Sequence, residues 1–344
     1  MDKEAIGLSD FQSIKNQYKS RDQLDALASN LRLTTKSVRE KYQAELSARD
    51  AEIKKARAEA AREAVMSSLV YAFRIQKNLL PPESEFQKAF EDYSILWNPR
   101  DIVSGDIYWI KNFDLGTVLC VCDCTGHGTP GALLTMLVVS SFGMIVNENN
   151  CFDTSQIIYL LDKQLSGYLY DSPPDGKEEL GINDIKDGCD LAVLFISKNG
   201  DVTFSTANFP IFVCDGKQVN QIRGQKLFVG EGRLTEKAEV KSSVIPYDEN
   251  NKFYISSDGM FDQKGGERGL PFGYSKFKKI ILENHCEKQE VISGKVWEAF
   301  ELYRDNKNRI DDFELISFKP GITVPNNKTD TNDRPRLKVK IRST

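Results

Sequence analysis

Two consecutive prolines, Pro81 and Pro82, divide this chain into parts that obey different periodicities. Before them, from Ser37 to Leu80, there is no proline or glycine, and Ala, Glu, Lys and Arg dominate. That composition predicts a helix of about 40 residues, roughly 60 Å long at 1.5 Å per residue. The prolines stop it, because proline lacks the N–H and clashes with the preceding turn. Leu46, Ile53 and Ala60 recur every seven residues, a thin seam compatible with a coiled coil. The C-terminal part is richer in apolar residues: Val65, Leu69, Phe73, Ile75 and Leu79. Two readings stand: a solvated helix docked only at its end, or a dimerising helix that passes a signal to the next domain.

Beyond the prolines the pattern changes to short strands at 93–97, 104–110, 116–122, 190–197, 201–207, 211–215, 238–245, 252–257 and 312–318. Helical patterns fall between them at 130–147, 154–169, 274–284 and 287–304. Strands interleaved with a few helices predict an α+β fold, two antiparallel β-sheets packed as a sandwich and flanked by helices. The expected domains are a polar, helical N-terminal segment at 1–36, the long helix at 37–80, a folded domain at 81–320 and a basic tail at 321–344. Alternating basic residues at 334, 336, 338, 340 and 342 leave that tail with two readings, a disordered segment or an added strand. Polar, Gly/Pro-containing residues 171–188 predict a mobile loop at one end of the sandwich.

Charge and cysteine usage exclude several function classes. Residues 1–80 hold 15 basic and 11 acidic side chains and residues 321–344 hold 6 and 2, so a net charge of -4 leaves the middle at -12. An acidic middle repels nucleic-acid phosphates and suits a domain that holds cations. Seven cysteines in 344 residues are too sparse for a disulfide scaffold and are read as reduced thiols. No stretch is expected to span a membrane and the N-terminus lacks a signal-peptide layout, so a cytoplasmic location is expected.

The densest chemistry lies in "CVCDCTGHGTPG", residues 120–131. A zinc site through Cys122, Cys124 and His127 is one reading, although the chain has just two histidines, His127 and His285, and no C-x-x-C pair. Cys120 and Cys122 lie in an apolar run of the kind buried on both faces, where a thiol acts as a small hydrophobe. Asp123 ends that run. Gly126 and Gly128 permit a tight turn, Thr129 can cap and Pro130 suits a first helical turn. Asp106, Asp258 and Asp311 share the setting of Asp123, a strand end beside a small residue or a second acid. Gathered across a sandwich they make a set of hard oxygens, which select magnesium or manganese over zinc.

Seven segments in order carry a resemblance: "YAFRIQKNLLP", "PRDIVSGDIYW", "DCTGHGTPGALLTML", "DGCDLAVLFI", "TANFPIFV", "YISSDGMFDQKGG" and "DDFELISF". From about 70 to 319 the chain resembles the metal-dependent serine/threonine protein phosphatases (PPM or 2C class), in the bacterial SpoIIE-type branch of partner-switching signalling. The resemblance implies two Mn²⁺ or Mg²⁺ ions, with Asp123 as bridging carboxylate and the backbone carbonyl of Cys124 as a further ligand. It places Asp106 on the second ion's side, Asp258 and Asp311 as terminal ligands of the first, and a metal-activated hydroxide as nucleophile. It further implies a phosphorylated STAS-like anti-sigma-factor antagonist as substrate. His127 is a candidate acid for the leaving oxygen, its other reading being a turn histidine; Arg100 is a candidate phosphate contact, its other reading being plain surface. Two departures stand out: Ser104 replaces the first of two glycines, and Glu314 replaces a threonine after the final acid pair. A catalytically silent dimeric phosphoprotein-binding adaptor is the alternative from another class. Retention of all four acids argues against it, since a silent site has no use for mutually repelling carboxylates.

Overall fold

The computed structural model describes residues 21–148, 151–170, 187–234, 236 and 239–322. All of the tail beyond residue 322, most of the 171–188 loop and most of the 1–36 segment therefore lie outside the described residues. The chain forms two compact units, parting between Ser68 and Leu69. The first consists, in its described part, of helix α1 (Arg21–Leu79) up to Ser68. Within the described residues this helix already runs from Arg21, ahead of the expected Ser37. Thr34 and Thr35 are poor helix formers, yet the helix runs through them, their hydroxyls donating back to the carbonyls of Asn30 and Leu31 at 2.8 and 2.6 Å. Nearly every side chain between 22 and 68 is exposed, Leu46 and Ile53 included.

The second unit opens with the last turns of α1. Pro82 then precedes a short helix α2 (Glu83–Ala89), which has too few turns to show a period in sequence. There follow β1 (Asp92–Asn98), β2 (Asp106–Phe113), β3 (Gly116–Cys124), α3 (Gly128–Glu148) and α4 (Thr154–Tyr170). Next come β4 (Cys189–Ser197), β5 (Val202–Ala207), β6 (Ile211–Cys214), β7 (Val219–Ile222), β8 (Ser243–Ile245) and β9 (Lys252–Ser256). The chain continues through α5 (Gly259–Asp262), β10 (Lys264–Gly265), β11 (Leu270–Pro271), α6 (Gly273–Glu283), α7 (Gln289–Arg304) and β12 (Phe313–Lys319). The expected strands and long helices fall close to these bounds; the strand expected at 238–245 is reduced to β8. Polar β7, at a sheet edge, carries no apolar run to announce it.

Among the described residues the strands make two antiparallel five-stranded sheets, ordered β1-β12-β9-β6-β7 and β2-β3-β4-β5-β8, and a β10-β11 hairpin. Alternation along β12 explains the layers. Ile316 and Phe318 join a core shared with Leu119 and Val121 of the other sheet, while Phe313 and Leu315 face α7, where Trp297 and Phe300 stand 4.9 and 4.8 Å from the Phe313 ring. The opposite outer layer is α3 and α4, with Phe142 of α3 tilted 5.0 Å from Trp109 of β2. Contrary to the expectation that no stretch is long and apolar enough to cross a membrane, Gly128–Asn147 meets that test by length and composition. Its apolar character is used here in packing: Leu134, Val138, Phe142 and Val146 are all buried in the core shared with β2 and β3.

Candidate metal centre

Register brings the acids together. In the β2–β3 pair Asp106 stands directly opposite Asp123, and in the β3–β4 pair Asp123 stands opposite Asp190, so three carboxylates share one face at one end of the sheet. The other sheet contributes Asp258, just after β9, and Asp311, just before β12, its neighbour strand. Asp123 is acted on by the other three expected acids: burial first, then the charges of Asp106, Asp258, Asp311 and Asp190 push its carboxyl well above the usual range. Burial, with Asp262, Asp311 and Asp190, raises Asp258 to about 6. Asp190, which the sequence reading did not single out, is also raised to about 6 by burial, against the Asn208 amide that bonds it at 2.9 Å.

The segment that presents Asp106 is tied down on every side. Trp97 Nε1 donates to the Asp106 carbonyl at 2.9 Å, the Asp106 N–H donates to Ser104 Oγ at 3.0 Å, and Ser257 Oγ donates to Asp106 Oδ2 at 2.6 Å. Asp312, adjacent to Asp311, accepts the N–H groups of Arg100 and Gly105 at 2.6 and 2.7 Å. The acid pair is thus divided: Asp312 clamps the loop, and Asp311 remains among the charges facing Asp106, Asp123 and Asp258. Gly105 is required by close approach, since a Cβ there would lie 2.5 Å from the Gly126 carbonyl and 3.2 Å from that of Cys124. Gly126 and Gly128 form the expected turn with φ of +83° and +66°.

Behind the loop stands the end of α1. Fully buried Gln76 accepts the Ser104 N–H at 3.0 Å and donates to the Ser104 carbonyl at 2.6 Å and to Thr135 Oγ1 at 2.9 Å. Phe73 stacks on Trp97, ring centroids 6.1 Å apart. Ser104 therefore has a positive role, its hydroxyl accepting from Asp106 while its backbone is held by Gln76.

This architecture was compared with known proteins. The family model for stage II sporulation protein E (SpoIIE) matches residues 114–320. The chain belongs to this family. Its fold matches the SiaA-PP2C domain of Pseudomonas aeruginosa with a TM-score of 0.67 and 26% identity, over 76% of this chain and 98% of that one. It also matches the PP2C phosphatase domain of SpoIIE from Bacillus subtilis, solved with a fragment of its regulatory domain (TM-score 0.52, 14% identity, 69% of this chain and 65% of that one). The RsbU and RsbW domains of a Mycobacterium tuberculosis protein give a TM-score of 0.50 at 14% identity, covering 69% of this chain and 62% of theirs. No curated protein sequence matches. By family and fold the chain is a PP2C-type serine/threonine phosphatase.

The SpoIIE-family domain has the chemistry for divalent cations. Its converging side chains are carboxylates, the hard donors that suit Mg²⁺ or Mn²⁺. Within the cluster both carboxylate oxygens of Glu314 are buried without a protein hydrogen-bond partner. Among the described residues no three of these side chains stand close enough to enclose an ion. The zinc reading fares worse. Cys122 and Cys124 are core residues with sulfurs 3.9 Å apart, and burial pushes both thiols well up. His127 is half-exposed and turned to Asp101, its Nδ1 3.1 Å from Oδ2, an orienting partner that sequence spacing did not reveal. Arg100 lies beside the loop, its Nη1 donating to the Ile310 carbonyl at 2.6 Å.

Proposed function

We propose that this SpoIIE-family domain hydrolyses phosphoserine or phosphothreonine on a phosphorylated STAS-like signalling protein, using two Mn²⁺ or Mg²⁺ ions held by Asp106, Asp123, the Cys124 carbonyl, Asp258 and Asp311. The observation that carries this reading is the meeting of Asp106 and Asp123, paired across β2 and β3, with Asp258 and Asp311 of the opposite sheet. When bound, such ions supply Lewis acidity that activates water and neutralises charge on the phosphoryl oxygens. The protein's own part is to hold the acids. Ser257 and Trp97 fix Asp106, and Asp312 with Gln76 fixes the loop before it. His127 is proposed as the acid for the leaving oxygen; the contact of its Nδ1 with Asp101 Oδ2 supports this by leaving the ring's other nitrogen for substrate. Arg100 is proposed to contact the phosphate.

The phosphatase domain is proposed to occupy 81–320, and α1 to pair with α1 of a second copy through the exposed Leu46–Ile53–Ala60 seam. The domain is proposed to act in the cytoplasm. Phosphate release from a phosphorylated STAS-domain protein, measured with Mn²⁺, with Mg²⁺ and with chelator, tests the reading. Metal-dependent turnover that disappears in Asp123→Asn is the expected result; turnover that survives chelation or this substitution would sink it.

A further inference from the structure

Glu314 stands where the family pattern has a threonine, and it sits in an unusual environment. It is 0% exposed, lies opposite Trp97 in the β1–β12 register, and shares a face of β12 with Ile316 and Phe318, whose side chains fill the space between the sheets. Its backbone is held on both sides: its carbonyl accepts Ser256 Oγ at 2.6 Å, and its N–H donates to Ser257 Oγ at 3.2 Å. That same Ser257 hydroxyl donates to Asp106 Oδ2 at 2.6 Å. One hydroxyl thus joins the Glu314 backbone to a carboxylate of the candidate centre.

Neither Glu314 oxygen meets a protein donor, and no basic side chain contributes to its environment; the charges that act on it are those of Asp123 and Asp312. Its own charge is in turn felt by Asp106 and by Tyr108. A buried carboxylate in this state is unfavourable whichever form it takes. The ionised form lacks a counter-charge, and the neutral acid lacks both an acceptor for its proton and a donor for its carbonyl. The other buried orphan groups among the described residues are the Ser141 and Tyr254 hydroxyls, His285 Nδ1 and the Gln289 amide; Glu314 is the carboxylate of that set. A divalent cation near Asp106 and Asp123 removes the repulsion and supplies the missing partner together.

We propose that Glu314 is an additional cation-holding carboxylate of this chain's metal centre, approaching Asp106 and Asp123 from the floor between the two sheets. The inference rests on the reading of Asp106, Asp123, Asp258 and Asp311 as a metal centre. It adds a fifth acid side chain to that set, with a local charge more negative than a threonine at this position would leave.

The test is Mn²⁺ binding to the full chain by titration calorimetry, with thermal unfolding recorded without and with Mn²⁺, for wild type, E314Q, E314T and D123N. E314T installs the residue usual in the family and carries the test should E314Q fold poorly. The expected result is Mn²⁺ binding by wild type, its loss in D123N, and affinity weakened about tenfold or more in E314Q and E314T. The metal-free melting temperature of these two should be unchanged or higher, and their Mn²⁺-induced stabilisation smaller. Binding within twofold of wild type in both Glu314 variants, with D123N still defective, would overturn the role of Glu314 and leave the metal centre standing. No Mn²⁺ binding by wild type would overturn both.

Discussion

Two buried acids, one in each half of this domain, have opposite surroundings. Asp162 of α4 is fully buried and accepts three backbone N–H groups, from Gly230 and Gly232 at 2.9 and 3.0 Å and from Leu234 at 3.2 Å. Glu314 of β12 is equally buried, yet its side chain accepts none and faces other acids. The first carboxylate fastens the loop at 230–234 to a helix and is stabilised by the protein alone. The second, acted on by the charges of Asp123 and Asp312, is given no donor by the protein, and this is what the proposed cation would supply. Burial by itself therefore does not distinguish a structural acid from a functional one; what decides is whether the fold supplies donors.

Four substitutions sharpen or break that contrast. Asp123→Asn should lower Mn²⁺-dependent phosphate release roughly a thousandfold or more, the effect of several kcal/mol of lost charge stabilisation. Its metal-free melting temperature should not fall, and a variant that kept its turnover but unfolded early would place Asp123 with Asp162 instead. Asp162→Ala should do the reverse. Leaving three buried N–H groups without an acceptor costs about 3 kcal/mol or more in urea unfolding, with turnover per folded molecule retained.

Asp258→Asn tests the electrostatics directly. The carboxyl is raised from 3.8 to about 6, so the folded state favours its neutral form. Its contribution to stability is complete below the lower of those values and is lost as pH rises through the higher one. In metal-free protein the variant should therefore gain on wild type as pH rises from about 4 to about 7, by an amount that solvent screening at this partly exposed position keeps modest. A pH-independent difference in unfolding free energy would show that Asp258 is not opposed by its neighbours. The smallest effect is expected from Gln76→Leu, which frees the Ser104 backbone and Thr135 at a cost of about 1–2 kcal/mol. Because the Ser104 hydroxyl accepts from Asp106, Mn²⁺ affinity should weaken in the same variant; unchanged affinity would limit Gln76 to holding the helix end.

Much of the frame was legible before any coordinates. Strands and long helices are announced by alternation or by a helical period, patterns carried by residues two to four positions apart, and Pro81–Pro82 mark where one gives way to the other. The strand-end acids Asp106, Asp123, Asp258 and Asp311 were readable for the same reason, because a carboxylate bounding an apolar run is a local event. The division of labour between Asp311 and Asp312 was not, since it depends on Arg100 and Gly105, more than 200 positions earlier in the chain. Nor were the Gln76–Ser104 clasp, the Asp101 partner of His127, or the unpartnered Glu314, which in sequence looks like one polar residue in an alternating strand. Sequence alone determined which segments become strands and helices and which acids end them, because short-range sterics and periodicity decide both. Tertiary structure alone decided which acids face one another and which are given donors, because sheet register and inter-sheet packing join residues that no local pattern connects.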